Sequence, residues 1–117
     1  MAYIVLVDDD AAVLQTLENG LVLAGHSVAA AGTLGDGLAA LAAGQTDLII
    51  SDSVFAGNGG TMADIARQRG LPIILISGHP QRIASLSGGN LPFLAKPFSI
   101  SLLLQLIDAV LGGLYQP

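Results

Sequence analysis

The chain has 117 residues, 52% of them hydrophobic and 11% charged; that is ample apolar material for one domain-sized core and argues against disorder. It has no cysteine, which excludes disulfides and thiolate metal sites. Its net charge is −5, and its only basic residues are Arg67, Arg69, Arg82 and Lys96; direct nucleic-acid binding, which needs clustered cations, is not expected.

In chain order, the apolar run Ile4-Val5-Leu6-Val7 predicts a first strand over residues 3–7, followed at once by Asp8-Asp9-Asp10. Residues 11–24 repeat apolar positions at helical spacing (Val13, Leu14, Leu17, Leu21, Ala24), with Asp10 placed to cap the start and Gly25 to stop the end. A weaker strand is predicted over 27–31 and an alanine-rich helix over 34–43, closed by Gly44. Residues 47–51 read as a buried strand ending at Asp52, and the glycine-rich stretch 57–60 as a loop. A short helix is expected over 61–69. Gly70 and Pro72 then punctuate before a strand over 73–76, which Ser77 follows. Residues 80–90 hold one or two helical turns at most. A strand over 92–95, then Lys96, and a helix over 99–111 complete the chain.

The longest uncharged stretch, 19–35, is interrupted by four glycines, His26, Ser27 and Thr33, whereas a membrane span needs about 20 mostly apolar residues. The N-terminus lacks a basic region and turns acidic at Asp8, unlike a signal peptide. A soluble, cytoplasmic protein without membrane contact is expected.

Five β/α units with short links, and strands that are continuous apolar runs, predict an α/β fold with a parallel sheet covered by helices on both faces. Residues 1–117 are read as one domain, without repeat or linker. In such a sheet, ligands bind at the carboxyl ends of the strands. Those ends carry Asp8, Asp9, Asp10, Asp52, Ser77 and Lys96. Carboxylates, a hydroxyl and a lysine in one crevice are the groups needed to hold a divalent cation and a phosphoryl group on a carboxylate.

The pieces Ile4-Val5-Leu6-Val7-Asp8-Asp9-Asp10, Asp47-Leu48-Ile49-Ile50-Ser51-Asp52, Gly60, Leu75-Ile76-Ser77-Gly78 and Phe93-Leu94-Ala95-Lys96-Pro97-Phe98 occur in this order along the whole chain. Together they resemble a bacterial two-component response-regulator receiver domain. The resemblance implies a flavodoxin-like sheet of order 2-1-3-4-5. It implies that Asp52 accepts a phosphoryl group from a histidine kinase or a histidine phosphotransfer protein, so that the chain is a phosphoacceptor assisting its own chemistry, not an enzyme. Asp9, Asp52 and the backbone carbonyl of Val54 would ligate Mg²⁺ or Mn²⁺, and Asp8 would act largely through a coordinated water. Ser77 would bond a phosphoryl oxygen, Lys96 would pair with the phosphoryl group or Asp52, and Phe93 would be the aromatic switch. Lys96-Pro97 stands where the family has a cis peptide. Elementary chemistry agrees: Mg²⁺ prefers oxygen ligands, a cation lets crowded carboxylates stay ionised, and phosphoryl transfer depends on positioning and charge neutralisation.

The sequence also departs from the family's pattern. Ala56 and Ala11 stand where proline is common, the 57–60 loop is soft, and the spacings from Gly60 to Ser77 and from Ser77 to Lys96 are short. The helices in those spacings should be abbreviated, as in receivers attached to hybrid sensor kinases. His26 and His79 read as surface turn residues. Two other readings compete. One is an aspartyl-phosphate phosphatase of the haloacid-dehalogenase type, although the only acid after Lys96 is Asp108, inside a predicted helix. The other is a degenerate receiver that serves only for docking. In the last helix, Leu103, Ile107 and Val110 form the expected core stripe, with Leu104 and Leu111 beside it. Leu102 and Leu106 lie on another face, and an apolar contact through them with a second copy or a neighbouring domain is expected.

Overall fold

A computed structural model describes residues 2–52, 62–78 and 91–113. Five strands, β1 (Tyr3–Val7), β2 (Ser27–Ala31), β3 (Leu48–Asp52), β4 (Ile73–Ser77) and β5 (Phe93–Ala95), form one parallel sheet of order β2-β1-β3-β4-β5. This is the flavodoxin-like order. The helices are α1 (Ala11–Leu23), α2 (Leu34–Ala43), α3 (Met62–Arg69) and α4 (Ile100–Leu111).

Local chemistry sets the helix ends. The Asp10 carboxylate accepts from the amides of Ala12 at 3.0 Å and Val13 at 3.2 Å, satisfying two N–H groups that have no partner inside the helix. At the other end of α1, Gly25 takes φ +97°, a left-handed conformation that glycine adopts without a Cβ penalty. The hydroxyls of Thr33 and Ser99 cap α2 and α4 in the same way, accepting from Asp36 and Leu102.

Alternation along the strands divides the core into two layers. Ile4, Leu6, Leu48, Ile50, Ile74 and Ile76 pack with Leu17 and Leu21 of α1 and Leu103, Ile107 and Val110 of α4. Val5, Val7, Ile49, Ile73 and Leu75 pack with Leu41 of α2 and Met62 and Ala66 of α3. β3 and β4 are buried on both faces, which explains their unbroken apolar sequence.

The structure refines several expectations. β3 begins at Leu48, one residue later than expected, and includes Asp52; β4 includes Ser77. α3 is short, at eight residues. Val54, Ala56, the 57–60 loop, His79, Arg82 and the 80–90 segment lie outside the described residues. On α4, Leu103, Ile107 and Val110 are buried as expected, but Leu106 is also partly buried against the core, while Leu102 and Leu111 are 48% and 41% exposed. At 3.6 residues per turn, Leu106 lies about 60° round the helix from Leu103, on the flank of the core stripe. Leu102 and Leu106 thus share one flank of the helix, with Leu102 exposed and Leu106 partly buried. No helix among the described residues is long and apolar enough to cross a membrane.

Two glycines of α2 make opposite predictions. A Cβ on Gly37 would stand 2.9 Å from Val7 Cγ2 and 3.3 Å from Met62 Cε, whereas one on Gly35 meets nothing within 4 Å. Val7 is buried in the sheet and cannot retreat. Gly37→Ala should therefore be destabilising by roughly 0.5–2 kcal/mol despite its gain in helix propensity. Gly35→Ala should stabilise by up to about 1 kcal/mol. Urea unfolding of the two variants checks both signs.

Candidate functional site

Strand register brings the chemical groups together. Val7 pairs with Ser51, so the residues that follow them, Asp8 and Asp52, emerge side by side at the carboxyl ends of β1 and β3. Ser77 pairs with Ala95 across β4 and β5, and the Lys96 amide extends that ladder by donating to the Ser77 carbonyl at 2.7 Å. From this anchored position the Lys96 ammonium donates to Asp8 Oδ2 and Asp52 Oδ2, each at 2.7 Å. The Lys96–Pro97 peptide is cis.

Asp8 is fully buried. Its second oxygen, Oδ1, accepts from the Asp10 amide at 2.9 Å, and its own amide donates to Ala31. Both carboxylate oxygens are thus held by donors, as a buried carboxylate requires. Ser51, also buried, donates its hydroxyl to the Asp52 carbonyl at 3.0 Å and steadies the strand end. Asp9 is exposed at the rim. Asp8, Asp9 and Asp52 each offer a carboxylate oxygen, and these oxygens lie within 4.8 Å of one another.

Burial pushes the Asp8 carboxyl above its ordinary value; the hydrogen bonds from Lys96 and the Asp10 amide pull the other way without cancelling it. For Lys96, burial alone would lower the value, but the bonds to Asp52 and Asp8 outweigh it and hold the ammonium above its ordinary value. The lysine therefore stays charged, and the buried aspartate is the strained member of the pair. As a donor set, the three carboxylates are all hard oxygens, which suits Mg²⁺ or Mn²⁺ and not a thiophilic metal.

Asp8, Asp9, Asp52 and Lys96 thus converge. Ser77 is buried at the end of the adjacent strand. Phe93 stands at the start of β5, 43% exposed, outside this cluster. Asp10 is the cap of α1 and not part of the acidic group. His26 is used elsewhere, its Nδ1 accepting from the Ala2 amide. Asp108 is on the exposed surface of α4. The feature that sequence reasoning missed is the bond from Lys96 to Asp8. The two residues are 88 positions apart, and no periodic signal links them.

Residues 4–108 match the family described as the response regulator receiver domain. The chain is 32% identical over 106 residues to the C4-dicarboxylate transport transcriptional regulatory protein DctD of Rhizobium meliloti, covering 86% of this chain and 23% of that protein. It is 32% identical over 114 residues to the transcriptional regulatory protein PrrA of Mycobacterium tuberculosis, covering 92% of this chain and 49% of that protein. The chain therefore spans half or less of the length of these relatives. Among solved structures, the signal receiver domain of an HD domain-containing protein from Pseudomonas fluorescens superposes with a TM-score of 0.81 at 27% identity, covering 95% of this chain and 94% of that one. A response regulator receiver protein from Sinorhizobium medicae gives 0.80 at 27% identity, covering 96% and 95%.

The raised Asp8 value predicts a particular pH dependence in metal-free protein. Between 3.8 and the higher folded-state value, the folded chain binds more protons at Asp8 than the unfolded chain does, so Asp8's contribution to stability falls as pH rises through that window. Stability of the parent relative to Asp8→Asn should decline on going up from about pH 4 and then level off. Lys96 adds no slope there, because its contribution is lost only as pH rises above 10.5. Urea unfolding across that range checks the sign; a relative stability that rises with pH would show that the lysine bond outweighs burial.

Proposed function

The chain belongs to the response-regulator receiver family, and we propose that it acts as the phosphoacceptor of a two-component relay, with Asp52 as the residue modified. The observation that carries this reading is the position of Asp52. Its carboxylate lies at the carboxyl end of a central strand, within 4.8 Å of two further carboxylate groups, and is held by an ammonium at 2.7 Å.

The donor is a phosphohistidine of a kinase or phosphotransfer protein. An Asp52 oxygen attacks phosphorus, the phosphorus–oxygen bond forms as the phosphorus–nitrogen bond breaks, and the electron pair returns to the leaving imidazole. Before the transfer, Asp52 Oδ2 accepts a hydrogen bond from the Lys96 ammonium at 2.7 Å. The Lys96 ammonium then faces the oxygens of the new phosphoryl group and offsets their charge, as a compact cation on a flexible stem can. Asp8 and Asp9, with Asp52 and the Val54 carbonyl, would hold Mg²⁺ or Mn²⁺, which supplies the remaining neutralisation of phosphoryl charge. Ser77, at the next strand end, would donate to a phosphoryl oxygen. Its movement would be read out on β5 at Phe93, which is 43% exposed. A two-component module of this kind works in the cytoplasm, and the chain is a signalling acceptor and not a turnover enzyme.

Incubation with acetyl phosphate and Mg²⁺, followed by intact-mass measurement, tests the assignment. One phosphoryl adduct is expected on the parent and none on Asp52→Asn. Ser77→Ala should still be modified, but its Phe93 resonances should no longer respond. An adduct that persists in Asp52→Asn would move the acceptor elsewhere. Catalytic hydrolysis of a small phosphomonoester would favour a phosphatase instead.

A further inference from the structure

β2 is one edge of the sheet, and its outer side is bare. The Ser27 amide donates to the Ala2 carbonyl, and the Ala31 carbonyl accepts from the Asp8 amide. Alternate residues of β2 therefore turn their backbone toward β1. Val28 and Ala30, between them, direct N–H and C=O outward, where no strand among the described residues pairs with them. Proteins commonly blunt such an edge with lysine, proline or a bulge. Ser27-Val28-Ala29-Ala30-Ala31 has no charge and no proline, and its register with β1 is unbroken.

The flanks of this edge are equally free of charge. α1 covers β2 on one face of the sheet and α2 on the other. Residues 19–46 run from the second half of α1 through β2 and α2, and Asp36 is their only charged residue. The chain as a whole carries −5, so copies of it repel except where acid is sparse. Gly20 of α1 faces Ile100 of α4. Val22 lies about 200° further round the helix, turned away from α4 and to the side of β2. It is 52% exposed, and Leu23 beside it is 88% exposed.

We propose that the β2 edge is a self-association surface, on which two copies pair their β2 strands antiparallel about a twofold axis. Val28 of each copy stands opposite Ala30 of the partner subunit. Each such pair exchanges both of its N–H···O=C bonds, and the two five-stranded sheets become one. A second copy suits this surface because the surface offers a charged partner no counter-charges. Strands of five residues fall short of the roughly 1,200–2,000 Å² buried in a standard interface. Val22 and Leu23 add apolar area across the joint, and the dimer is a weak one that forms with rising concentration. Pairing lies in the plane of the sheet, so Asp8, Asp52 and Lys96 at the strand ends stay uncovered and phosphoacceptance does not require it.

The test is sedimentation equilibrium of the whole chain from about 10 μM to about 1 mM, the range in which weak complexes form. The mass of the parent should rise from monomer toward dimer. Ala30→Pro removes an amide that β1 does not use, at an edge position that accepts proline. Ala30→Lys puts a charge on an exposed edge residue while reducing the overall repulsion between copies. Both variants should stay monomeric, and Leu102→Glu on α4 should associate like the parent. Amide hydrogen exchange on the parent decides the matter if the Ala30 variants do not fold. The Val28 and Ala30 amides should gain several-fold protection as concentration rises, while those of Ala29 and Ala31, already turned to β1, keep theirs. A parent that is monomeric at about 1 mM, association that survives Ala30→Lys, or exchange at Val28 and Ala30 that ignores concentration would overturn the proposal. Association lost in Leu102→Glu and kept in Ala30→Pro would overturn it too, by placing the contact on α4.

Discussion

Charge crowding at the carboxyl ends of three strands governs this molecule. Three carboxylates lie within reach of one another, one of them fully buried, and a single ammonium bridges two of them. Removing a carboxylate from water costs several kcal/mol, and a neighbouring carboxylate adds to that cost. Such a cluster persists only because the surrounding core holds it and Lys96 partly neutralises it. A chain selected for stability alone would place apolar residues there. Local consistency is given up at this one place, as is common where chemistry is performed.

The rest of the fold serves to make that crowding reproducible. Parallel register fixes Asp8 beside Asp52, and the β4–β5 ladder, continued by the Lys96 amide, sets the base from which the ammonium reaches back. Two fully apolar layers clamp the sheet from both sides, so the strand ends have little freedom to separate. Helix α1 begins immediately after the acidic run, and Asp10 links the two functions. Its side chain caps the helix while its amide holds the oxygen of Asp8 that Lys96 does not use. One turn of backbone thus anchors both a helix and a buried carboxylate.

Much of this was legible in the sequence, because the signals involved are local. Unbroken apolar runs marked the buried parallel strands, helical spacing marked α1, alanine content marked α2, and Asp10, Gly25 and Gly44 marked helix ends through backbone chemistry that needs no tertiary knowledge. The strand-end positions of Asp8, Asp52, Ser77 and Lys96 followed from those elements. What escaped depends on long-range packing. The bond between Lys96 and Asp8 joins opposite ends of the chain. The burial of Leu106 depends on how α4 is rotated against the sheet, which a leucine-rich helix with one charge does not fix by itself.

The central claim is that the convergent geometry selects Asp52, among three neighbouring aspartates, as the phosphorylated residue. Reduction of the phosphorylated protein with borohydride converts an aspartyl phosphate to homoserine, and peptide sequencing by mass spectrometry then locates it. The account predicts homoserine at position 52 and unmodified aspartate at positions 8 and 9. Homoserine at position 8 or 9, with Asp52 intact, would contradict it.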